Sequence, residues 1–255
     1  MIMIRASWMA ALAVIVIGAN VTSAADLHVK DGPKIMPMGD SITDGRDSGY
    51  REPLHSLLSK RGDSFTFVGS MTSNSTAPLI AAGQVHHAGH GGFLIGPGSI
   101  ADRQGKTLAT HVECWIGPNA AGPDIILLMI GSNDICMNYD ITNAPSRLDS
   151  LITQIYAYRP NVKLHLASPI PMAGREADVK AFNAAIPGIV AKHKALGHNV
   201  ISVPMYEALN INTDLSDGMH PNALGYQHMA QAWDAALHAN GEKLGHTQNN
   251  PAVTK

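Results

Sequence analysis

Apolar and polar positions alternate along this chain in two rhythms. Short runs dense in apolar residues, Lys34 to Met38, Phe65 to Gly69, Asp124 to Ile130, Lys163 to Ala167 and Asn199 to Val203, read as strands. Between them lie segments with helical spacing: Tyr50 to Lys60, roughly Pro97 to Cys114, Ala144 to Tyr158, Glu176 to Leu196 and Ala223 to Ala239. Pro187 falls inside the fourth of these, where a missing N–H and a ring clash predict a kink or a break. Ile125 to Ile130 is apolar without alternation, as a strand covered on both faces requires. This succession predicts a three-layer α/β/α domain around a mostly parallel sheet of about five strands. Ser70 to Gly92 follows neither rhythm; it is polar, rich in Gly and Ala, and reads as a long loop and a candidate lining for a site.

The first 24 residues have a basic start at Arg5, an apolar stretch from Trp8 to Ile17 and small residues from Thr22 to Ala25, the layout of a cleaved secretory leader. That stretch is shorter than the roughly 20 residues of a membrane span, and an uncleaved anchor is the alternative. The expected division is a signal peptide at 1–24, one domain at 25–240 and a polar, mobile tail at 241–255, in a protein that is secreted or periplasmic. With 18 Lys and Arg against 20 Asp and Glu, the chain lacks the basic excess of a nucleic-acid or membrane-surface protein. Export favours a disulfide between the two cysteines, Cys114 and Cys136, with two buried thiols as the alternative.

Candidate chemistry sits where the strands end. Ser41 follows the first strand within Gly39-Asp40-Ser41-Ile42-Thr43, and Asn133 follows the strand at Asp124 within Gly131-Ser132-Asn133-Asp134. His220 lies in Asp217-Gly218-Met219-His220-Pro221, just before the last helical pattern. In a parallel sheet, ligands bind at the carboxyl ends of the strands, so one fold hypothesis carries all three to the same edge. A hydroxyl needs a base to take its proton as it attacks, and an imidazole suits that work. Asp217 could then orient the ring, and Gly218 gives the intervening turn its freedom. Donors for a developing oxyanion are at hand in the N–H of Ser41, an N–H of Gly91-Gly92 and the Asn133 amide.

These blocks resemble, in order, those of the GDSL/SGNH hydrolases, over nearly all of the chain after the leader. Met38 to Gly45, Gly49-Tyr50-Arg51, Gly89-His90-Gly91-Gly92-Phe93 and His220-Pro221-Asn222 look in particular like carbohydrate esterase family three, which contains acetylxylan esterases. The resemblance implies a flavodoxin-like SGNH fold, Ser41 as nucleophile, Asp217 and His220 completing a triad, and Ser41, Gly92 and Asn133 around the oxyanion. Gly92 is favoured over Gly91, which with His90 is a candidate substrate contact. The implied activity is a secreted serine esterase removing acetyl groups from acetylated polysaccharide or oligosaccharide, with no cofactor, no nucleic-acid partner and no membrane association after leader cleavage.

Other readings remain beside this one. A lipase, arylesterase or thioesterase of the same superfamily uses the same residues, although few aromatics and no apolar lid segment disfavour long acyl chains. A carbohydrate-binding protein on an inactive hydrolase fold is a different class, against which the complete set of Ser41, Asn133, Asp217 and His220 weighs. His86, His87 and His90 form the one metal-like cluster, yet a glycine-rich loop without a helical His-Glu-x-x-His pair offers poor zinc geometry, and no metal is expected. Asn74, Gln84 and His90 could meet sugar hydroxyls. Asp40 and Asp44 read as turn-stabilising residues, and Arg51 as a partner for an acid, without a catalytic role.

Overall fold

The structure, a computed structural model, describes residues 32–98, 105–118, 120, 122–241 and 244–245. The expected leader and most of the 241–255 tail lie outside the described residues.

Among the described residues six strands form one sheet: β1 (Lys34–Gly39), β2 (Thr66–Phe67), β3 (Ala88–Gly89), β4 (Ile125–Met129), β5 (Lys163–Ala167) and β6 (Val200–Val203). Their order is β2-β1-β4-β5-β6, every pairing is parallel, and β3 joins β1 at its carboxyl end. The chain thus builds one side of β1 first and then reverses to the other side with β4. That reversal makes the gap beyond the ends of β1 and β4 a topological switch point, where such sheets open a crevice.

Alternating side chains on the strands feed two cores. Ile35, Ile125, Leu127 and Met129 face one way and pack with Leu54 and Leu58 of α2 (Arg51–Arg61) and with Met229 and Trp233 of α9 (Ala223–Leu237). Met36, Met38, Ile126 and Leu128 face the other way, against α6 (Ala144–Tyr158) and α7 (Glu176–Ala195). β4 is buried at every position, as its unbroken apolar run requires. Gly39 ends β1 where a Cβ would lie 2.2 Å from the Met129 carbonyl oxygen, so a larger residue would push β1 and β4 apart.

Several expectations change. The helix expected over Pro97 to Cys114 shrinks to α4 (Val112–Ile116). The described residues before it make turns instead, tied by a bridge between Leu94 and Thr107. Helix α7 continues unbroken through Pro187, with Phe182, Ile186, Ile189 and Val190 holding both halves in the core. The loop from Ser70 to Gly92 contains the short helix α3 (Ala77–Ala81) and strand β3. Cys114 and Cys136 are free and exposed, on α4 and on α5 (Ser132–Cys136), so neither the disulfide nor the buried-thiol alternative holds. At the carboxyl end, Leu244 is buried in the α2–α9 core and its N–H donates to Asp63 Oδ1 at 2.9 Å. No helix among the described residues is long and apolar enough to cross a membrane.

Candidate active site

Ser41 opens the one-turn helix α1 (Ser41–Asp44) directly after β1. Asp40 caps that helix, its Oδ1 accepting the Ile42 N–H at 3.0 Å, as a short acceptor at this position should. As the first residue of α1, Ser41 keeps an N–H without an intrahelical partner. Asp40 is fully buried, and burial pushes its carboxyl up to about 6; the Ile42 N–H, the Ser132 hydroxyl and His220 offset only part of that.

The loop before α9 carries the other two groups. Its backbone is pinned by Ser216 N–H to His220 C=O at 2.8 Å, by Asn222 N–H to Asp214 C=O at 2.9 Å, and by a bridge between Leu215 and Pro221. Asn222 caps α9 through its Oδ1 on the Gly225 N–H. Gly218 takes φ +81 between Asp217 and His220, the left-handed conformation that glycine adopts without strain.

This loop sets His220 Nε2 2.9 Å from Ser41 Oγ and His220 Nδ1 2.9 Å from Asp217 Oδ2. The other oxygen of Asp217 accepts the backbone N–H groups of His220 at 2.7 Å and Met219 at 3.0 Å. These bonds, the His220 N–H foremost, pull the Asp217 carboxyl down to about 2. At neutral pH it is therefore ionised and can only accept. The ring proton must then sit on Nδ1, which leaves Nε2 bare toward the serine hydroxyl.

Asn133 lies on α5, just past β4, with its side chain buried. One hydrogen of its amide goes to the Phe93 carbonyl at 2.9 Å, which leaves the second for another acceptor. The turn His90 to Phe93 closes with Phe93 N–H on His90 C=O at 3.1 Å, and His90 N–H binds the Gly39 carbonyl at 3.0 Å. Gly92 takes φ +75 there, and among the described residues neither its N–H nor that of Gly91 has a backbone partner. The turn is thereby held at the end of β1 from one side and by Asn133 from the other.

Residues beyond the sequence motifs hold these parts. Asp134 is wholly buried, with Oδ1 2.7 Å from Arg147 Nη2 and Oδ2 accepting the Ile95 N–H at 3.1 Å. Arg51, expected to meet an acid, instead donates to the backbone carbonyls of Asp44, Ser73, Asn74 and Val85. Its buried guanidinium draws the loop at 73–75 against α1, and burial lowers its pKa to about 10. Gln84 does not face the site: its amide bridges Phe67 N–H and Phe65 C=O, imitating a strand neighbour of β2.

The three clustered histidines separate. His86 is exposed. His87 is buried, its Nε2 3.1 Å from the Ser73 carbonyl and its Nδ1 accepting the Gly89 N–H. His90 stacks on Trp115 at 4.1 Å and places Nε2 3.0 Å from Ser70 Oγ. Burial holds both His87 and His90 down at about 4, so they are neutral at physiological pH. Among the described residues no group of three or more His, Cys, Asp or Glu is placed to hold a metal ion.

Comparison with known proteins gives these contacts a family. The profile of the GDSL-like Lipase/Acylhydrolase family matches residues 35–233. A multidomain esterase of Ruminococcus flavefaciens is 30% identical over 216 residues, covering 78% of this chain and 28% of that protein. A putative endoglucanase X of Acetivibrio thermocellus is 38% identical over 128 residues, 49% of this chain and 54% of that one. The chain thus spans about half or less of the length of these curated relatives. The solved structure of a Clostridium thermocellum family 3 carbohydrate esterase superposes with a TM-score of 0.68 at 34% identity, over 82% of this chain and 96% of that one. With its family match running from β1 into α9, and with Ser41, Asn133 and His220 gathered at one sheet edge, this chain belongs to the GDSL-like lipase/acylhydrolase family.

Proposed function

We propose that this protein is an exported serine esterase that removes acetyl groups from carbohydrate, acetylated xylan or a related polysaccharide being the expected substrate. The observation that carries the reading is the unbroken chain of contacts from Ser41 Oγ through His220 to Asp217, each 2.9 Å long. Similarity to a family 3 carbohydrate esterase and to a multidomain esterase supports the substrate class. The leader pattern at 1–24 supports export.

Each atom then has a task. Ser41 Oγ attacks the acyl carbon as its proton passes to His220 Nε2. Ionised Asp217 accepts from Nδ1 and stabilises the imidazolium. The carbonyl oxygen becomes an oxyanion, received by the N–H groups of Ser41 and Gly92 and the second amide hydrogen of Asn133. Collapse breaks the bond to the sugar oxygen, which takes the proton from Nε2 and leaves as a hydroxyl. Water next attacks the acetyl-serine and gives its proton to Nε2. The second collapse breaks the Oγ–acyl bond, releases acetate and returns that proton to Oγ.

The purified protein should hydrolyse p-nitrophenyl acetate and release acetate from acetylated xylan, while Ser41→Ala should abolish both and leave the fold, judged by circular dichroism, unchanged. A Ser41→Ala variant of undiminished rate would overturn the mechanism. Loss of activity on acetate esters alongside good activity on long-chain esters would favour a lipase instead.

A further inference from the structure

The carboxyl edge of the sheet holds a cavity of about 490 Å³ between the N-terminal ends of α2 and α9, which the acyl chemistry does not use. Its lining includes neither Ser41 nor His220, so it neighbours the reacting centre rather than containing it. Ser216 and Pro221, which bracket the Asp217–His220 turn, line one side of it, and Arg46 and Gly49, just past α1, line another. We propose that this groove is the subsite for the sugar chain that carries the acetyl group, and that the protein acts on acetylated oligosaccharide in preference to isolated acetylated sugars. The inference rests on the esterase reading of Ser41 and His220.

Proton flow fixes on which side of the acyl carbon the sugar lies. The leaving oxygen receives its proton from His220 Nε2, so the sugar to which it belongs must lie on the His220 side of the acyl carbon. The Gly91-Gly92 turn and Asn133, the oxyanion donors of the esterase reading, are tied to each other through the Phe93 carbonyl and not to the His220 loop. A chain leaving the reacting sugar on the His220 side meets the wall made by Ser216 and Pro221.

The groove's composition matches an uncharged polyhydroxyl ligand. Arg46, Asp47, Glu52, Tyr226 and Gln227 bring donors and acceptors to its walls. The Arg46 backbone holds the Tyr226 hydroxyl at one wall, and Glu52 of α2 faces Gln227 of α9 across the groove as lining residues. One guanidinium against two carboxylates disfavours an anionic ligand and suits hydroxyls, which both donate and accept. Pro53, Pro221 and Ala223 supply apolar surface between the polar groups, as the C–H faces of a sugar require. The volume falls within the roughly 300–1,000 Å³ of small-molecule sites, more than an acetyl group alone needs.

The test compares kcat/KM on acetylated xylose, on acetylated xylo-oligosaccharides of increasing length and on p-nitrophenyl acetate. Wild type should gain about tenfold from monosaccharide to oligosaccharide, as one or two added hydrogen bonds would give. In Glu52→Ala/Gln227→Ala the ratio of oligosaccharide to p-nitrophenyl acetate activity should drop by a similar factor. A flat dependence on chain length, an unchanged ratio, or equal losses on both substrates would overturn the proposal. Binding supplies an independent arm. Titrating deacetylated xylo-oligosaccharide into Ser41→Ala should shift the amide resonances of Ala223 and Gln227, and shifts confined to other surfaces would also overturn it. A wild type inert toward every ester would refute the esterase reading, and the binding arm alone would then decide the groove.

Discussion

Single atoms decide what this site can do, and two residues test that most sharply. Asn133 gives one amide hydrogen to the Phe93 carbonyl, and in the proposed mechanism the other meets the oxyanion. Losing an oxyanion donor costs on the order of 100- to 1,000-fold in rate, so Asn133→Ala should lower kcat by that factor with little change in KM, measured on p-nitrophenyl acetate. A loss confined to KM would place the amide on substrate binding instead. Asp40 carries a different consequence. Its carboxyl titrates near 6 when folded and near the ordinary carboxylate value when unfolded. The folded state thus holds the extra proton, and the stability this group confers is full below about pH 4 and lost as pH rises through 6. Asp40→Asn keeps an acceptor for the Ile42 N–H and removes the titration. It should raise stability at pH 7 by up to about 3 kcal/mol relative to wild type, each tenfold difference in proton affinity between the two states being worth about 1.4 kcal/mol. Little gain should remain at pH 3, and urea unfolding at the two pH values checks both.

At the scale of elements, the site is a set of short pieces held by ties between loops. Helix α5 grips the 91–95 segment twice, through Asn133 on Phe93 and Asp134 on Ile95, and Asp134 is itself held by Arg147 of α6. Removing one member of a buried ion pair strands the other, at about 3–5 kcal/mol. Arg147 keeps Asp140 as a second partner, so Asp134→Ala should destabilise toward the lower end of that range, measured by denaturant unfolding. A change under about 1 kcal/mol would show that the tie is not structural. Such ties have no signature in sequence, because Asp134 and Ile95 lie 39 residues apart and meet only once the sheet forms. Strands β1, β4, β5 and β6 were legible as short apolar runs, and β4, covered on both faces, shows the reason most plainly in Ile125 to Met129; β6 keeps Ser202 exposed. Helix α4 was not: the described residues from 105 to 111 make turns that bring Leu108 into the core.

Over the whole molecule, the parallel sheet is what makes a dispersed set of residues into one site. Ser41 and His220 are 179 residues apart in the chain and 2.9 Å apart in space, because β1 and the loop into α9 both deliver their residues to the carboxyl edge. Motif spacing alone could assign the triad candidates, since each sits at the end of a legible strand or the start of a legible helix. It could not assign Arg51, whose partners are backbone carbonyls and whose contacts depend on the path of the 73–85 loop. Nor could composition foresee two free thiols, for α4 and α5 are placed by packing rather than by a crosslink. The measurement closest to the central claim is mass spectrometry of the protein after inactivation by an organophosphonate ester. The account predicts one adduct, on Ser41, appearing in step with loss of esterase activity and absent when His220 is changed to Ala. Inactivation with the adduct on another residue, or labelling that proceeds equally without His220, would contradict it.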